Sequence, residues 1–260
     1  MSKLRNNIPR MRKGILMAGG KGSRMYPVTK YINKHLLPVY DKPMIFYSLS
    51  LLLMAGIKEI AIICNPGDIE NYKKIFNKKK SFFITYIEQK EPNGIAECMY
   101  LARDFIGDND FALVLGDNFL FGSDLQKILL KASKSKKNTF FVKEVSNPQS
   151  FGVLYEKNKV KKIIEKPKKF ISNNVIIGIY FYENKILSKM KLTKSKRKEY
   201  EITEVNNAIL KTRKTKIERL GRGFVWQDLG TFANLINISN LIFSNKNINL
   251  KDFYNPFFIK

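Results

Sequence analysis

An α/β fold built on a central, mostly parallel sheet is what the pattern of this chain predicts. From residue 13 onward, short apolar runs alternate with amphipathic segments, the mark of βαβ units. Glycine and proline fall between those segments, where turns and helix ends need them. The chain has 260 residues, 44% of them hydrophobic, enough to bury one large core.

Lys13–Ala18 is the first strand, and it breaks into the cationic loop Gly19-Gly20-Lys21-Gly22-Ser23-Arg24. Asp41-Lys42-Pro43 predicts a helix running through Ala55, with proline early and Gly56 at the stop. Ile57–Cys64 is β-branched enough for a buried strand, Asp68–Lys78 reads as a charged helix, and Phe82–Glu88 as a strand. Asn93-Gly94 then opens a helix over Ile95–Phe105, and Phe111–Leu115 is a strand ending at Gly116-Asp117-Asn118. Beyond residue 138 the pattern turns to strands joined by tight turns: Thr139–Val145, Gly152–Glu156, Val160–Glu165 and Val175–Tyr182. Helices return at Glu183–Met190, Thr203–Lys211 and Thr231–Phe243. A basic tail (1–12) thus precedes one compact unit (13–245), whose nucleotide-binding half spans about 13–138 and strand-rich half about 139–245. A short tail (246–260) follows.

The net charge of +25 invites a nucleic-acid reading, since Lys and Arg neutralise phosphates. The cations are mostly lysine scattered through every segment, amid abundant Asn, Ile, Phe and Tyr, which is the mixture AT-rich codons encode. Mutational bias accounts for that better than polynucleotide binding, and neither nucleic acid nor membrane is an expected partner. No apolar stretch approaches the length of a membrane span, and Met1–Arg12 lacks the apolar centre of a secretory signal. Cys64 and Cys98 lie far apart and read as buried thiols in a reducing cytoplasm.

The glycine loop after the first strand lets backbone N–H groups approach phosphate oxygens, with Lys21 and Arg24 adding charge. It lacks the Gly-Lys-Ser/Thr ending of a P-loop. A bound triphosphate calls for Mg²⁺, which favours carboxylates; Asp117 and Asp228 each sit where a strand runs into a turn. Both residues would otherwise be turn or capping residues.

Several segments together carry a family resemblance: Leu16 to Arg24 with Pro27, Asn33 to Pro38, Asp41 to Met44, Gln89 to Gly94, and Leu115 to Asn118. Phe151-Gly152, Glu165 to Pro167, Gly178 to Tyr182, Glu201 to Thr203 and Trp226 to Thr231 continue it in order. Across roughly residues 13 to 245 the chain resembles the sugar-nucleotide pyrophosphorylases, and within them the thymidylyl branch. The resemblance implies a Rossmann-like three-layer fold of the nucleotide-diphospho-sugar transferase type, with a central mixed, mostly parallel sheet. It implies Mg²⁺-dependent transfer from dTTP to glucose 1-phosphate, giving dTDP-glucose and pyrophosphate, in a cytoplasmic homo-oligomer. The product would feed dTDP-rhamnose-type deoxysugar synthesis for surface polysaccharide such as O-antigen. Alternatives are UTP or another sugar phosphate as substrate, or a sugar-nucleotide-binding regulatory subunit without turnover.

By motif match, Arg24, Lys34 and Asp117 would be catalytic, and Asp117 and Asp228 would hold the metal. Gly19, Gly20, Gly22, Ser23, Arg24, Gln89, Pro92, Gly94 and Asp117 would contact the nucleotide, with Gln89 and Gly94 at the base. Phe151, Gly152, Glu165, Lys166, Ile177, Tyr180, Arg197 and Thr203 would form the sugar-phosphate site. The chain departs from the pattern at His35, where glutamine is usual, at Leu229 in place of threonine, and at Ile177 in place of a polar residue. It also ends earlier than the pattern, which implies weaker feedback by the pathway's end product. His35, the only histidine, is expected to be a neutral hydrogen-bonding ring, and Trp226 a packing residue.

Overall fold

The computed structural model describes residues 12–76, 81–158, 160–190, 193–195, 197–212 and 214–244. The tails expected at 1–12 (Arg12 apart) and 246–260 lie outside these residues, as does the end of the helix expected to reach Lys78.

In chain order, β1 (Lys13–Ala18) leads through a long loop to β2 (Pro38–Val39), β3 (Lys42–Pro43) and α1 (Met44–Met54). β4 (Glu59–Cys64), α2 (Ile69–Ile75) and β5 (Phe83–Glu88) follow. Next come α3 (Ile95–Leu101), α4 (Arg103–Ile106), β6 (Phe111–Leu115), β7 (Asn118–Gly122) and α5 (Leu125–Lys134). The second half holds β8 (Asn138–Glu144), β9 (Gly152–Lys157), β10 (Val160–Glu165), β11 (Asn174–Tyr182) and α6 (Ile186–Lys189). It closes with α7 (Ile202–Leu210), β12 (Thr215–Leu220), β13 (Phe224–Asp228) and α8 (Phe232–Ser244).

Nine of these strands form one sheet. Its first half is parallel, in the order β5-β4-β1-β6. Because α1 joins β1 to β4 on one side while β6 lies on the other, strand order reverses between β1 and β6. Open α/β sheets bind ligands at such a point, beyond the carboxyl ends of the strands. β11 runs antiparallel to β6, so the sheet continues without interruption past residue 138 into the strand-rich half.

The layers follow from side-chain alternation along the strands. Leu16 and Ala18 pack with α1, α2 and α5, whereas Ile15 faces α3, α4 and α7. Helix α1 is buried along its whole length and ends at Ala55, with Gly56 beyond it at φ +76°. A glycine in that left-handed position is the usual helix stop. Among the described residues no helix is long and apolar enough to cross a membrane.

Several details differ from the sequence expectation, among them a shorter α6 (Ile186–Lys189). α1 begins at Met44, not near Asp41, because Pro38–Val39 pairs with Lys42–Pro43 and leaves Pro43 as the cap. The helix expected over Ile95–Phe105 breaks at Ala102, where the backbone turns. α5 went unread although Leu125, Ile128, Leu129 and Ala132 recur at helical spacing along it. β7 and β12 went unread, and β13, the strand expected to run into Asp228, pairs with β7 in a separate two-stranded ribbon whose partners are a hundred residues apart in sequence, as Trp226 opposite Leu120 illustrates.

Candidate active site

Asp117 leaves the carboxyl end of β6, next to the strand from which the glycine loop springs. Its backbone carbonyl accepts the Leu229 N–H at 2.8 Å, and Asp228 stands directly opposite Asn118 in the β7–β13 ribbon. Opposed residues in an antiparallel pair have Cα atoms ~5 Å apart. Two acids separated by more than a hundred positions are thereby set side by side.

Cations converge on them. Lys34 Nζ lies 2.5 Å from Asp117 Oδ2, with both side chains largely buried. Arg24 comes within 3.8 Å of Asp228 from a mostly exposed position. Burial by itself would raise the Asp117 pKa, but the Lys34 charge and hydrogen bond, helped by His35 and Arg24, hold it well below the ordinary carboxylate value. Asp228 goes the other way, raised by burial and then by the negative charge of Asp117. Its Oδ1 accepts the Gly230 N–H at 2.6 Å. One carboxylate repels its neighbour, and a cation between them would relieve that repulsion. Among the described residues no group of three or more His, Cys, Asp or Glu could cage a metal. A pair of oxygen donors without imidazole or sulfur suits Mg²⁺, which keeps several waters and takes its remaining ligands from phosphates.

Asn118 organises this corner. Its Oδ1 accepts from Trp226 Nε1 at 2.7 Å and from the Gly178 N–H at 3.1 Å, while its Nδ2 donates to Asp117 Oδ1 at 3.2 Å. Sequence reading quoted Asn118 within its motif without giving it a task. Trp226 packs edge-on against Phe151, with ring centroids 5.1 Å apart, so it both packs and anchors.

The glycine loop is shaped by residues that sequence reading did not single out as site residues. Gly20 N–H donates to Asn65 Oδ1 at 3.0 Å, while Asn33 and Asn65 both donate to Asp68 Oδ2, at 2.6 and 2.8 Å. Gly20 (φ +109°) and Gly22 (φ +62°) carry the turn. Ser23 and Lys21 are exposed on it. His35 is buried, and burial together with the Lys34 charge pushes its pKa down to about 3, so the ring is neutral at physiological pH. It sits against Asn33 Oδ1, 2.8 Å from Nδ1.

Glu165, at the end of β10, meets α7: Thr203 Oγ1 donates to Glu165 Oε2 at 2.5 Å. A Cβ on Gly152 would fall 3.3 Å from the same carboxylate oxygen. Tyr180 is buried beside them, and burial followed by the Glu165 charge raises its pKa, so the phenol stays protonated. Arg197 reaches Glu165 at 3.8 Å but is also held by Glu199 at 3.1 Å and Glu201 at 3.5 Å. Lys166 is exposed, and its backbone adopts φ +41°, a conformation that costs a residue with a Cβ ~1 kcal/mol or more. Its N–H donates to Phe151 O at 3.0 Å.

Gln89, buried at the end of β5, lies against Gly19 of the glycine loop. Gly94 meets the segment after Arg197: at φ +110°, a Cβ there would lie 2.7 Å from Tyr200 O and 2.8 Å from Tyr200 N. Gly94→Ala is therefore expected to lower stability by roughly 2 kcal/mol or more. Urea denaturation measures this; an unchanged midpoint would show that the Tyr200 segment yields freely.

The predicted residues thus fall mostly into three linked groups: Arg24–Lys34–Asp117–Asp228; Gly19–Gln89–Gly94, with Gly20, Gly22 and Ser23 further along the same loop; and Phe151–Gly152–Glu165–Lys166–Tyr180–Arg197–Thr203. Two stand apart. Pro92 is exposed, and Ile177 has no accessible surface, being packed with Ile179 and Phe181 in the core on the opposite face of β11 from Tyr180. Leu229, where the family pattern carries threonine, is a core residue between α8 and the Val39 hairpin.

Residues 13–245 match the family model described as nucleotidyl transferase. A glucose-1-phosphate thymidylyltransferase of Neisseria meningitidis is 38% identical over 242 residues, covering 91% of this chain and 84% of the relative. One from Xanthomonas campestris is 40% identical over 237 residues, covering 89% and 80%. Among solved structures, a Bacillus anthracis protein described as a glucose-1-phosphate thymidylyltransferase, in complex with a sucrose, superposes with a TM-score of 0.78. It is 34% identical, with 88% of this chain and 94% of that one covered. A UDP-glucose pyrophosphorylase, 24% identical with a TM-score of 0.79, shares the fold.

Proposed function

From the premise that this chain belongs to the nucleotidyl transferase family, in the branch of the glucose-1-phosphate thymidylyltransferases, we propose that it joins dTTP and glucose 1-phosphate into dTDP-glucose with release of pyrophosphate. The observation that carries the reading is the placing of Lys34, Asp117, Arg24 and Asp228 around one point beyond β1 and β6. A phosphate oxygen of the sugar attacks the α-phosphorus in line, the bond to the β-phosphate oxygen breaks, and pyrophosphate departs. Catalysis of this kind is positioning plus charge stabilisation.

Asp117 and Asp228 would hold Mg²⁺, which neutralises phosphate charge when bound. Lys34, a point charge with three donors, faces the α-phosphate as negative charge builds there. Arg24, exposed on the loop and able to swing from Asp228, grips the departing phosphates through its planar fork. Glu165, aligned by Thr203, accepts hydrogen bonds from sugar hydroxyls, with Tyr180 beside it, while Lys166 and Arg197 hold the sugar's phosphate. Gln89 reads the base. We place the enzyme in the cytoplasm as a homo-oligomer, at the entry to dTDP-rhamnose-type deoxysugar synthesis.

Pyrophosphate release, measured over a matrix of nucleoside triphosphates and sugar 1-phosphates with Mg²⁺, tests this. The highest kcat/KM is expected for dTTP with glucose 1-phosphate. Turnover with UTP alone would transfer the reading to a uridylyl enzyme.

A further inference from the structure

Glu97 lies in the first turn of α3, away from the phosphoryl chemistry, yet its carboxylate accepts hydrogen bonds from two side-chain amides. Gln89 Nε2 donates to its Oε2 at 2.7 Å, and Asn93 Nδ2 donates to its Oε1 at 2.9 Å. An ionised carboxylate only accepts, so it dictates which end of each amide faces it. That matters for Gln89, because a glutamine amide is nearly symmetric in shape but opposite in chemistry at its two ends. With Nε2 engaged by Glu97, Oε1 is left to face Cys98 and the Gly19 loop.

Oε1 has two neighbours. Cys98 Sγ stands 3.8 Å away, a weak donor that occupies at most one lone pair. The other neighbour is Gly19, where a Cβ would lie only 2.9 Å from Oε1. Glycine at that position therefore leaves room beside the carbonyl, on the side of the nucleotide loop, that any Cβ would fill. Gln89 is only 2% exposed, so an unmatched polar group pressed against it is costly.

We infer that Glu97 is a positioning residue that locks Gln89 with its carbonyl toward the Gly19 loop, so that the site selects a base bearing an N–H on the edge it presents. The inference rests on the reading of Gln89 as the base contact and of dTTP as the nucleotide. Thymine and uracil carry a proton on N3 and satisfy the carbonyl. Cytosine offers a bare N3, setting lone pair against lone pair. Asn93 completes the device: its backbone carbonyl accepts the Tyr200 N–H at 2.6 Å, tying Glu97 to the segment that leads into the sugar-phosphate group. Without Glu97, Gln89 Nε2 keeps only a long contact of 3.4 Å to Gly94 O, and the amide is free to turn over.

Steady-state kinetics with dTTP and dCTP, at saturating glucose 1-phosphate, on the wild type and on Glu97→Leu and Glu97→Gln, decide the matter. In Glu97→Leu the ratio of kcat/KM for dTTP over dCTP is expected to fall about tenfold or more, with the KM for glucose 1-phosphate unchanged. Glu97→Gln keeps one carbonyl for Gln89 and is expected to restore most of the ratio. Glu97→Ser, too short to reach Gln89, makes the same test if leucine costs the fold. A wild type that prefers dTTP, with the same preference in the leucine and serine variants, overturns the role of Glu97 alone. A wild type that turns over no dTTP overturns the nucleotide reading, and this inference with it.

Discussion

Asp117→Asn is expected to lower kcat by roughly 10³-fold, about 4 kcal/mol of transition-state stabilisation, while leaving the fold intact. Asparagine keeps the shape and still accepts from Asn118 Nδ2, which donates to Oδ1 at 3.2 Å, and the backbone bond from Leu229 does not involve the side chain. What disappears is the charge, and with it the partner of the buried Lys34, so stability falls even though the fold is kept. If Asp117 and Asp228 serve one cation, their losses overlap: Asp117→Asn with Asp228→Asn should be little worse than Asp117→Asn alone. Losses that multiply would show that the two acids act at separate places, and a near-normal rate in the single variant would remove Asp117 from the chemistry. Circular dichroism on the same samples shows whether the sheet and helices survive.

Lys34→Met is expected to have the second-largest effect, on both rate and stability. Methionine fills the buried stem but carries no charge for the α-phosphate, so kcat should fall roughly 10²- to 10³-fold. Removing one partner of a buried pair also strands the other, at about 3 kcal/mol near neutral pH. The Lys34–Asp117 pair qualifies, with side chains only 15% and 11% exposed. The pH dependence has a definite sign. Lys34 holds the Asp117 pKa below its ordinary value, so the stabilisation is complete above ~4 and fades as pH drops through the depressed value. Without Lys34, burial and the neighbouring Asp228 push Asp117 up instead, and the variant loses stability as pH rises through the carboxylate range. The gap between wild type and variant should therefore be widest at neutral pH and narrow toward pH ~4. Urea melts of the metal-free protein at both pH values measure it; a gap independent of pH would mean that Lys34 acts through packing rather than charge.

Those two residues illustrate how unevenly the site was legible. Lys34 is one cation among 47, and nothing in its own surroundings marks it as buried. Only the order of motifs around it singled it out. Asp117 was visible because a strand that breaks into Gly-Asp-Asn announces a loop at the edge of a sheet. Glu97, Asn118 and the Asn33–Asn65–Asp68 trio gave no comparable signal. Their importance lies in which amide or carbonyl they face, and those partners are set by packing between elements distant in the chain. Ile177 shows the converse: its place in a motif drew it into the sugar site, yet alternation along β11 turns it to the other face of the sheet.

Local pattern alone determined the alternation of strands and helices, the glycine loop after β1, and the strand-ending acids, because periodicity and turn chemistry act over a few residues. It also carried enough ordered motif to point to nucleotidyl transfer. Tertiary structure alone decided that β1 and β6 lie side by side and that the β7–β13 ribbon brings Asp228 to Asp117. It decided as well which end of the Gln89 amide faces the glycine loop. Those outcomes depend on contacts between residues dozens to more than a hundred positions apart, where no local period reaches.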